Sequence, residues 1–199
     1  MLKLIKISEK WLFLMQKVIG INKVITPPNN KKMGWFVMDN DRLKHSYAVA
    51  NKMIELGKEK KISEMELQEL FLLGYLHDIG YQFGTNENHN IIGSNILKKC
   101  DYKYWKEVYY HGVPNSEYKS LYLDILNTAD MMIDKYGNDV GFDKRLEDIK
   151  NRYGEDSTQY INCVKIVDEL RSWSKWMKIK LISTGWYWFS LAIHETPIK

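Results

Sequence analysis

The stretch 65–76 constrains the fold most, because apolar side chains occupy nearly every face of the helix that it would form. Such a helix must be covered on all sides, so we expect it at the centre of the fold. Ser63 and Glu66 fit a capping box at its start, and Ile62 and Leu67 are placed as a hydrophobic staple. The sequence therefore predicts one central buried helix around which the other elements pack.

An adjacent histidine and aspartate, His77 and Asp78, follow directly after this apolar stretch, and Gly80 is the expected stop signal. The central helix would thus deliver one imidazole and one carboxylate to the same buried place. Burying a carboxylate without a partner costs on the order of several kcal/mol. A metal ion would supply that partner, which raises the question of further ligands elsewhere in the chain.

The composition favours a single helical domain. The 199 residues are 45% hydrophobic and 27% charged, which is enough for one well-filled core. Four prolines and the lack of a strongly alternating run of Val, Ile and Thr favour helices over strands. We expect an all-α fold, a compact single-domain helical bundle.

Periodicity and turn residues divide the chain into elements. Helices are predicted over 8–20, 41–56, 65–76, 118–136, 142–153 and 157–178, with a short helix opening at 88–89 and an aromatic helical segment at 102–110. Residues 81–88 are expected to form a polar loop, and Arg145, Glu147 and Asp148 to lie at the surface of the helix 142–153. We expect residues 1–40 to form an N-terminal helix and loop that pack on a core domain, 41–178. Residues 179–199 form an aromatic tail that could close a pocket, pack on the first helix or line a homo-oligomer interface.

Charge and cysteine usage bear on partners and compartment. The net charge of +4 is mild and the lysines are scattered among acids, so we expect no nucleic-acid polymer as partner, whereas an anionic small molecule fits. Cys100 and Cys163 are far apart and in no metal spacing, which predicts two free thiols in a reducing cytoplasm.

Two terminal stretches bear on targeting and membrane association. Residues 2–18 are interrupted by charges and no cleavage site follows them, so we expect no secretory leader and a cytoplasmic protein. Residues 179–193 are interrupted by Lys180 and are shorter than the roughly 20 residues that a membrane span needs. We therefore expect no membrane span.

Three further histidines lie on or beside predicted helices. His45 belongs to an inward stripe of its helix, and His89 lies in a first turn, where Gly93 leaves room for another backbone or a ligand to approach. His111 precedes Gly112 at a helix end, where the helix dipole alone favours a histidine. Taken singly, each has a simpler explanation as a core, capping or helix-end residue.

Asp130 is the second anomaly, because it falls among the buried positions of the predicted helix 118–136, where an uncompensated carboxylate is expensive. The combined set of candidate ligands is His45, His77, Asp78, His89, His111 and Asp130. Imidazole and carboxylate together suit Mn, Fe, Zn or Mg, and the lack of cysteine argues against a structural zinc site.

The order His, His-Asp, Asp resembles the signature of the HD-domain superfamily, all-helical metal-dependent phosphohydrolases, over about residues 41–135. The segment His89 to Gly93 is similar to the His-x-x-x-Gly segment of its binuclear (HD-GYP-like) branch, which includes cyclic-dinucleotide phosphodiesterases. The segment 112–115, Gly-Val-Pro-Asn, replaces the glycine-tyrosine-proline signature of that subgroup. The substrate of that subgroup is therefore not carried over.

The resemblance implies an HD-type bundle with divalent metal ions, two in number, drawn from Mn, Fe, Mg, Zn and Ni. By this resemblance, one metal is bound by His45, His77, Asp78 and Asp130. The second metal is bound by His89 and His111, and Asp78 bridges the two. His77 and Asp78 would be the catalytic pair. The expected reaction is cleavage of a phosphomonoester or phosphodiester of a nucleotide-like small molecule by a metal-activated hydroxide.

Three basic residues near this set, Arg42, Lys44 and Lys135, could bind the substrate phosphate, although solvated helix-face charges explain them equally well. Three other functions stay open. A mixed-valent diiron oxygenase uses the same ligands, a non-catalytic nucleotide-binding regulator would keep the fold alone, and a mononuclear nucleotidase would not use His89 and His111 as ligands.

Overall fold

The computed structural model describes residues 40–83 and 88–183, with side chains described as far as residue 172. Within these residues the chain forms seven α-helices, one short 3-10 helix and no strand, which confirms the all-α prediction. The elements are α1 Asn40–Glu59, α2 Glu64–Leu76, a 3-10 helix Ile79–Gln82, α3 His89–Lys99, α4 Trp105–Tyr110, α5 Leu121–Asp130, α6 Gly141–Tyr153 and α7 Thr158–Ser183.

The predictions for residues 1–39 and 184–199 lie outside the described residues, so the proposed division of the chain into three parts stays a prediction. No helix of the described part is long and apolar enough to cross a membrane. Cys100 and Cys163 are both free, as predicted.

Helix α2 lies in the main core, and His77 and Asp78 follow directly after its last residue. The predicted capping box is present at its start, where the Glu66 amide donates to Ser63 Oγ and the Ser63 amide donates to the Glu66 carboxylate. Five of its leucines are buried: Leu67, Leu70, Leu72, Leu73 and Leu76. A Cβ added to Gly74 would lie 2.7 Å from Ala50 Cα, so α1 and α2 approach each other closely at this glycine. This contact fixes the chain after α2 relative to α1.

Gly80 and Gly93 are required by a contact between two backbones. The interpretation of Gly80 as a helix stop was wrong, since α2 ends at Leu76 and Gly80 lies within the 3-10 helix. A Cβ on Gly80 would lie 1.8 Å from the carbonyl oxygen of His89, and a Cβ on Gly93 would lie 3.0 Å from Gly80 N. The prediction that Gly93 leaves room for another backbone is confirmed, and the backbone is that of Gly80.

The predicted helix 118–136 was too long at both ends. Ser120 caps α5 by accepting a hydrogen bond from the Leu123 amide at 3.0 Å. After Asp130 the chain turns, and the Asp134 carboxylate accepts the amides of Tyr136 and Asn138 at 2.8 Å each. These side-chain bonds compete with helical hydrogen bonds and end the helix.

Arg145 on α6 was expected at the surface together with Glu147 and Asp148, and this expectation was wrong for Arg145. Arg145 is only 7% exposed, and one of its guanidinium nitrogens donates to Asp148 at 3.0 Å. A second small core forms where Ile149 of α6 and Ile166 and Val167 of α7 pack with Met131, which follows α5. A long aliphatic stem lets an arginine lie beside such a core while its head group remains paired.

Candidate metal centre

The six candidate ligands predicted from the sequence are brought together by five helices. His45 lies on α1, His77 and Asp78 follow α2, His89 begins α3, His111 follows α4 and Asp130 ends α5. The potential ligand atoms form two groups, and within each group they all lie within 4.8 Å of one another. The first group is His45, His77 and Asp78, and the second is Asp78, His89 and His111. Asp78 is common to both groups.

The Asp78 carboxylate is the centre of the cluster and is only 3% exposed. Its Oδ1 atom lies 3.4 Å from His77 Nε2, 3.5 Å from His89 Nε2 and 3.7 Å from His111 Nε2. Its Oδ2 atom lies 3.9 Å from His45 Nε2. One carboxylate therefore faces all four imidazoles.

Asp130 lies on the side of the first group. Its Oδ1 atom is 3.0 Å from His45 Nε2 and 3.9 Å from His77 Nε2, and its side chain is 20% exposed. Burial alone would raise the pKa of Asp130, but the close contact with His45 and the nearby His77 and Arg145 outweigh it and lower that pKa. Asp130 is therefore an ionised carboxylate beside two imidazoles.

Three of the histidines are oriented by backbone carbonyl oxygens. Their Nδ1 atoms contact these oxygens at the following distances: His45 to Asp134 2.9 Å, His77 to Gly74 2.7 Å and His111 to Val108 2.6 Å. A carbonyl oxygen only accepts, so Nδ1 carries the proton and Nε2 of a neutral ring presents its lone pair. Metal-binding histidines are typically held by such a bond from the other ring nitrogen.

In this tautomer the imidazole lone pairs face carboxylate oxygens, which is unfavourable unless a cation or additional protons lie between them. His77 Nε2 is buried and has no hydrogen-bond partner among the described residues. Burial lowers the pKa of His77, which favours its neutral ring. The orphaned Nε2 atom and the mixed nitrogen and oxygen donors fit a divalent metal ion.

Arg42 and Tyr81 contact the cluster at the cavity. Arg42 donates to Asp78 Oδ2 at 2.8 Å, and its guanidinium carbon lies 3.9 Å from the centre of the Tyr81 ring. The Tyr81 ring in turn stacks on His89, with ring centres 4.1 Å apart. Burial would raise the pKa of Asp78, but His77, His111 and Arg42 outweigh it and hold that pKa well below its usual range.

Sequence reasoning missed Tyr81, which lies in a segment that is predicted to be a polar loop, and no local pattern singles it out.

The three predicted substrate-binding residues differ in position. Arg42 lines a cavity beside the cluster, whereas Lys44 is exposed with its ammonium 3.5 Å from Asp41 and Lys135 lies over the Tyr136 ring. Neither lysine is among the described residues that line this cavity.

The cavity has a volume of about 430 Å³ and is lined by members of the cluster together with residues of α6 and α7. Asp78, His89, His111 and Asp130 contribute from the cluster, and Arg145 and Arg152 contribute from α6. Cys163 of α7 also lines it, and burial raises the pKa of this thiol to about 11, so it is neutral near pH 7. The cavity thus combines candidate metal ligands with arginines.

Comparison with known proteins identifies a family. The family model described as HD domain matches residues 42–173, which is more than half of the chain and includes all six candidate ligands. Neither the curated proteins nor the solved structures yield a match. The match identifies the family and not a subgroup, so the binuclear, HD-GYP-like assignment stays a prediction. The chain belongs to the HD domain family.

Proposed function

We propose that this chain is a metal-dependent phosphohydrolase that cleaves a phosphomonoester or phosphodiester of a nucleotide-like small molecule. HD domains are in general metal-dependent hydrolases. The observation that carries the proposal is the convergence of four imidazole Nε2 atoms and two carboxylates beside a cavity of about 430 Å³.

Two divalent ions are the occupancy that this arrangement supports best. His45, His77, Asp78 and Asp130 would hold one ion, and Asp78, His89 and His111 would hold the second. Nitrogen and oxygen donors without thiolate suit Mn, Fe, Mg, Zn or Ni. When bound, such ions lower the pKa of a coordinated water and neutralise the charge that builds up on a phosphoryl group under attack.

The residues of the chain orient this centre and neutralise its charge. The carbonyl oxygens of Gly74, Val108 and Asp134 fix three imidazole rings, so that their Nε2 atoms point at the carboxylates. Side-chain freedom is thereby removed before a ligand arrives, which lowers the entropic cost of binding. Asp78, buried at the centre, is common to both groups, and the buried His77 beside it belongs to the first.

Arg42 is the residue that we propose to bind the scissile phosphate. A guanidinium carries five N–H donors, and the contact with Asp78 uses the NH1 nitrogen. Its other donors are held in one orientation by the stack on Tyr81, beside the cavity. An arginine at this position favours an anionic substrate such as a phosphate ester.

Metal content and product analysis test the proposal. Full-length protein is purified without chelators and with oxygen excluded, and its metal content is measured by elemental analysis. We expect about two divalent ions per chain and metal-dependent release of phosphate or phosphomonoester without oxygen consumption. About one ion would remove His89 and His111 from the ligand set and support a mononuclear nucleotidase. No bound metal after addition of manganese would contradict the enzyme proposal and support a nucleotide-binding regulator.

A further inference from the structure

Two arginines of α6 line the cavity next to the candidate metal centre. Arg145 is 7% exposed, and the side chain of Arg152 is 26% exposed. Both donate to the same oxygen of Asp148, Arg145 at 3.0 Å and Arg152 at 2.7 Å. A single carboxylate therefore holds two guanidinium groups side by side at the cavity wall.

The charges on this wall are not balanced within the cavity. Among the described residues that line it, the charged side chains are Arg42, Arg145, Arg152, Asp78 and Asp130. Both aspartates belong to the metal cluster. Asp148 is not among the lining residues, and its one charge offsets only one of the two guanidinium groups that it holds. The α6 wall thus presents net positive charge to the cavity.

Arg145 also has an unused donor. Its Nε atom is buried and has no hydrogen-bond partner among the described residues. A buried donor of a charged group that lacks a partner is costly, and native structures rarely leave one without a reason. Guanidinium groups match the oxygens of a phosphate geometrically, so the head group of this cavity-lining arginine suits an anionic ligand.

Neutral polar groups extend the same wall. Gln159 and Asn162, in the first two turns of α7, line the cavity together with the two arginines. A volume of about 430 Å³ falls within the roughly 300–1,000 Å³ that is typical of small-molecule sites. The cavity is therefore large enough to hold groups beyond the one that reacts.

We propose that Arg145 and Arg152 form a second anion subsite, which binds a phosphate group of the substrate other than the one that is cleaved. The preferred substrate then carries at least two phosphate groups, as a nucleoside bisphosphate or diphosphate does. This inference rests on the proposed function, because it assumes that hydrolysis takes place at the neighbouring metal cluster.

Anion binding is measured first, without turnover, by titration calorimetry of the full-length chain freed of metal, with inorganic pyrophosphate as the probe. Arg152→Gln is the main variant because its partly exposed side chain can be replaced without opening the core. Lys144→Gln removes the same charge from an exposed position of the same helix that does not line the cavity. Arg145→Met keeps the aliphatic volume, and its folding is checked by circular dichroism.

We expect Arg152→Gln and Arg145→Met to weaken pyrophosphate binding by about tenfold or more, since hydrogen bonds to charged groups are among the strong ones. Lys144→Gln should bind like the unchanged protein. Wild-type affinity in Arg152→Gln, or an equal loss in Lys144→Gln, would overturn the proposal. If Arg145→Met does not fold, Arg152→Gln decides alone.

Measurements of turnover distinguish a failure of the anion subsite from a failure of the proposed hydrolase function. With manganese bound, Arg152→Gln should lower kcat/KM for a nucleoside bisphosphate by about tenfold while leaving that for the matching monophosphate unchanged. An equal loss on both substrates would overturn the subsite and leave the hydrolase proposal intact. Arginine-dependent pyrophosphate binding in a metal-loaded protein that hydrolyses no phosphate ester would support the subsite and overturn the hydrolase.

Discussion

The contact between Gly80 and His89 offers a selective way to disturb one half of the candidate metal centre. A Cβ on Gly80 would lie 1.8 Å from His89 O and 2.6 Å from His89 C. Such contacts essentially never fall below 3.0 Å, so the two backbones must separate by about 1.2 Å, the difference between 3.0 and 1.8 Å. Because the clashing atoms are backbone, no side chain can rotate away to relieve the clash. Gly80→Ala should therefore displace His89.

This displacement is large compared with what a metal site tolerates. His89 Nε2 lies 3.5 Å from Asp78 Oδ1 and 3.2 Å from His111 Nε2. Metal–ligand distances must hold within about 0.2 Å, and loss of a supporting contact to a ligand typically costs about 10–100-fold in affinity. We expect Gly80→Ala to keep the ion held by His45, His77 and Asp130 and to lose the second, as measured by elemental analysis and by manganese titration.

Two further glycine variants serve as controls. Gly57→Ala places a Cβ 2.6 Å from Leu67 Cδ2 and 2.7 Å from Leu70 Cδ1, which are ends of flexible side chains. This variant should lower the free energy of unfolding by about 1–3 kcal/mol through overpacking, while both ions stay bound. Gly93→Ala, with its Cβ 3.0 Å from Gly80 N, should have an intermediate effect. Full retention of two ions at unchanged affinity in Gly80→Ala would refute this reasoning.

Three further predictions concern stability and positioning. Metal at 100 times its Kd should stabilise the fold by about 2.7 kcal/mol and raise Tm by roughly 5–10 °C in a thermal scan, and no shift would count against a metal site. Hydrogen bonds from Ser63 and Tyr122 lower the pKa of Glu66 from 4.5, so its contribution to stability is present above pH 4.5 and is lost as the pH falls through the lower folded-state pKa. The fall of Tm on acidification below pH 4.5 should therefore be smaller in Glu66→Gln, and equal falls would contradict this. Tyr81→Leu removes the ring stacked on His89 and should weaken the second ion more than the first in a manganese titration, whereas equal weakening of both would show that the stack has no positioning role.

The helices and the set of candidate ligands could be predicted because both are signalled locally. Several helices show an apolar period, α2 is a continuous apolar stretch, and the capping box of Ser63 and Glu66 is visible as a short motif. Asp78 and Asp130 stand out as carboxylates in apolar surroundings, and the structure brings them to the same place. Their roles as metal ligands stay a prediction.

What could not be predicted depends on contacts between distant segments. Gly80 fits the local rule for a helix stop, but its real constraint is the backbone of His89, which lies on another helix. Arg145 has the sequence context of a solvated helix residue, and its burial follows from the packing of α6 beside α7. Tyr81 is positioned by its contacts with Arg42 and His89, which lie on two other helices, and no local sequence motif signals these contacts.

The most direct test of the central claim is the release of inorganic phosphate or phosphomonoester from a panel of nucleotides by the manganese-loaded protein and by Asp78→Asn. Asp124→Asn, on α5 and outside the cluster, controls for the substitution itself. We predict metal-dependent release by the unchanged protein and by Asp124→Asn, and loss of both release and metal binding in Asp78→Asn. Undiminished release by Asp78→Asn, or none from the unchanged protein with its metal bound, would contradict the account.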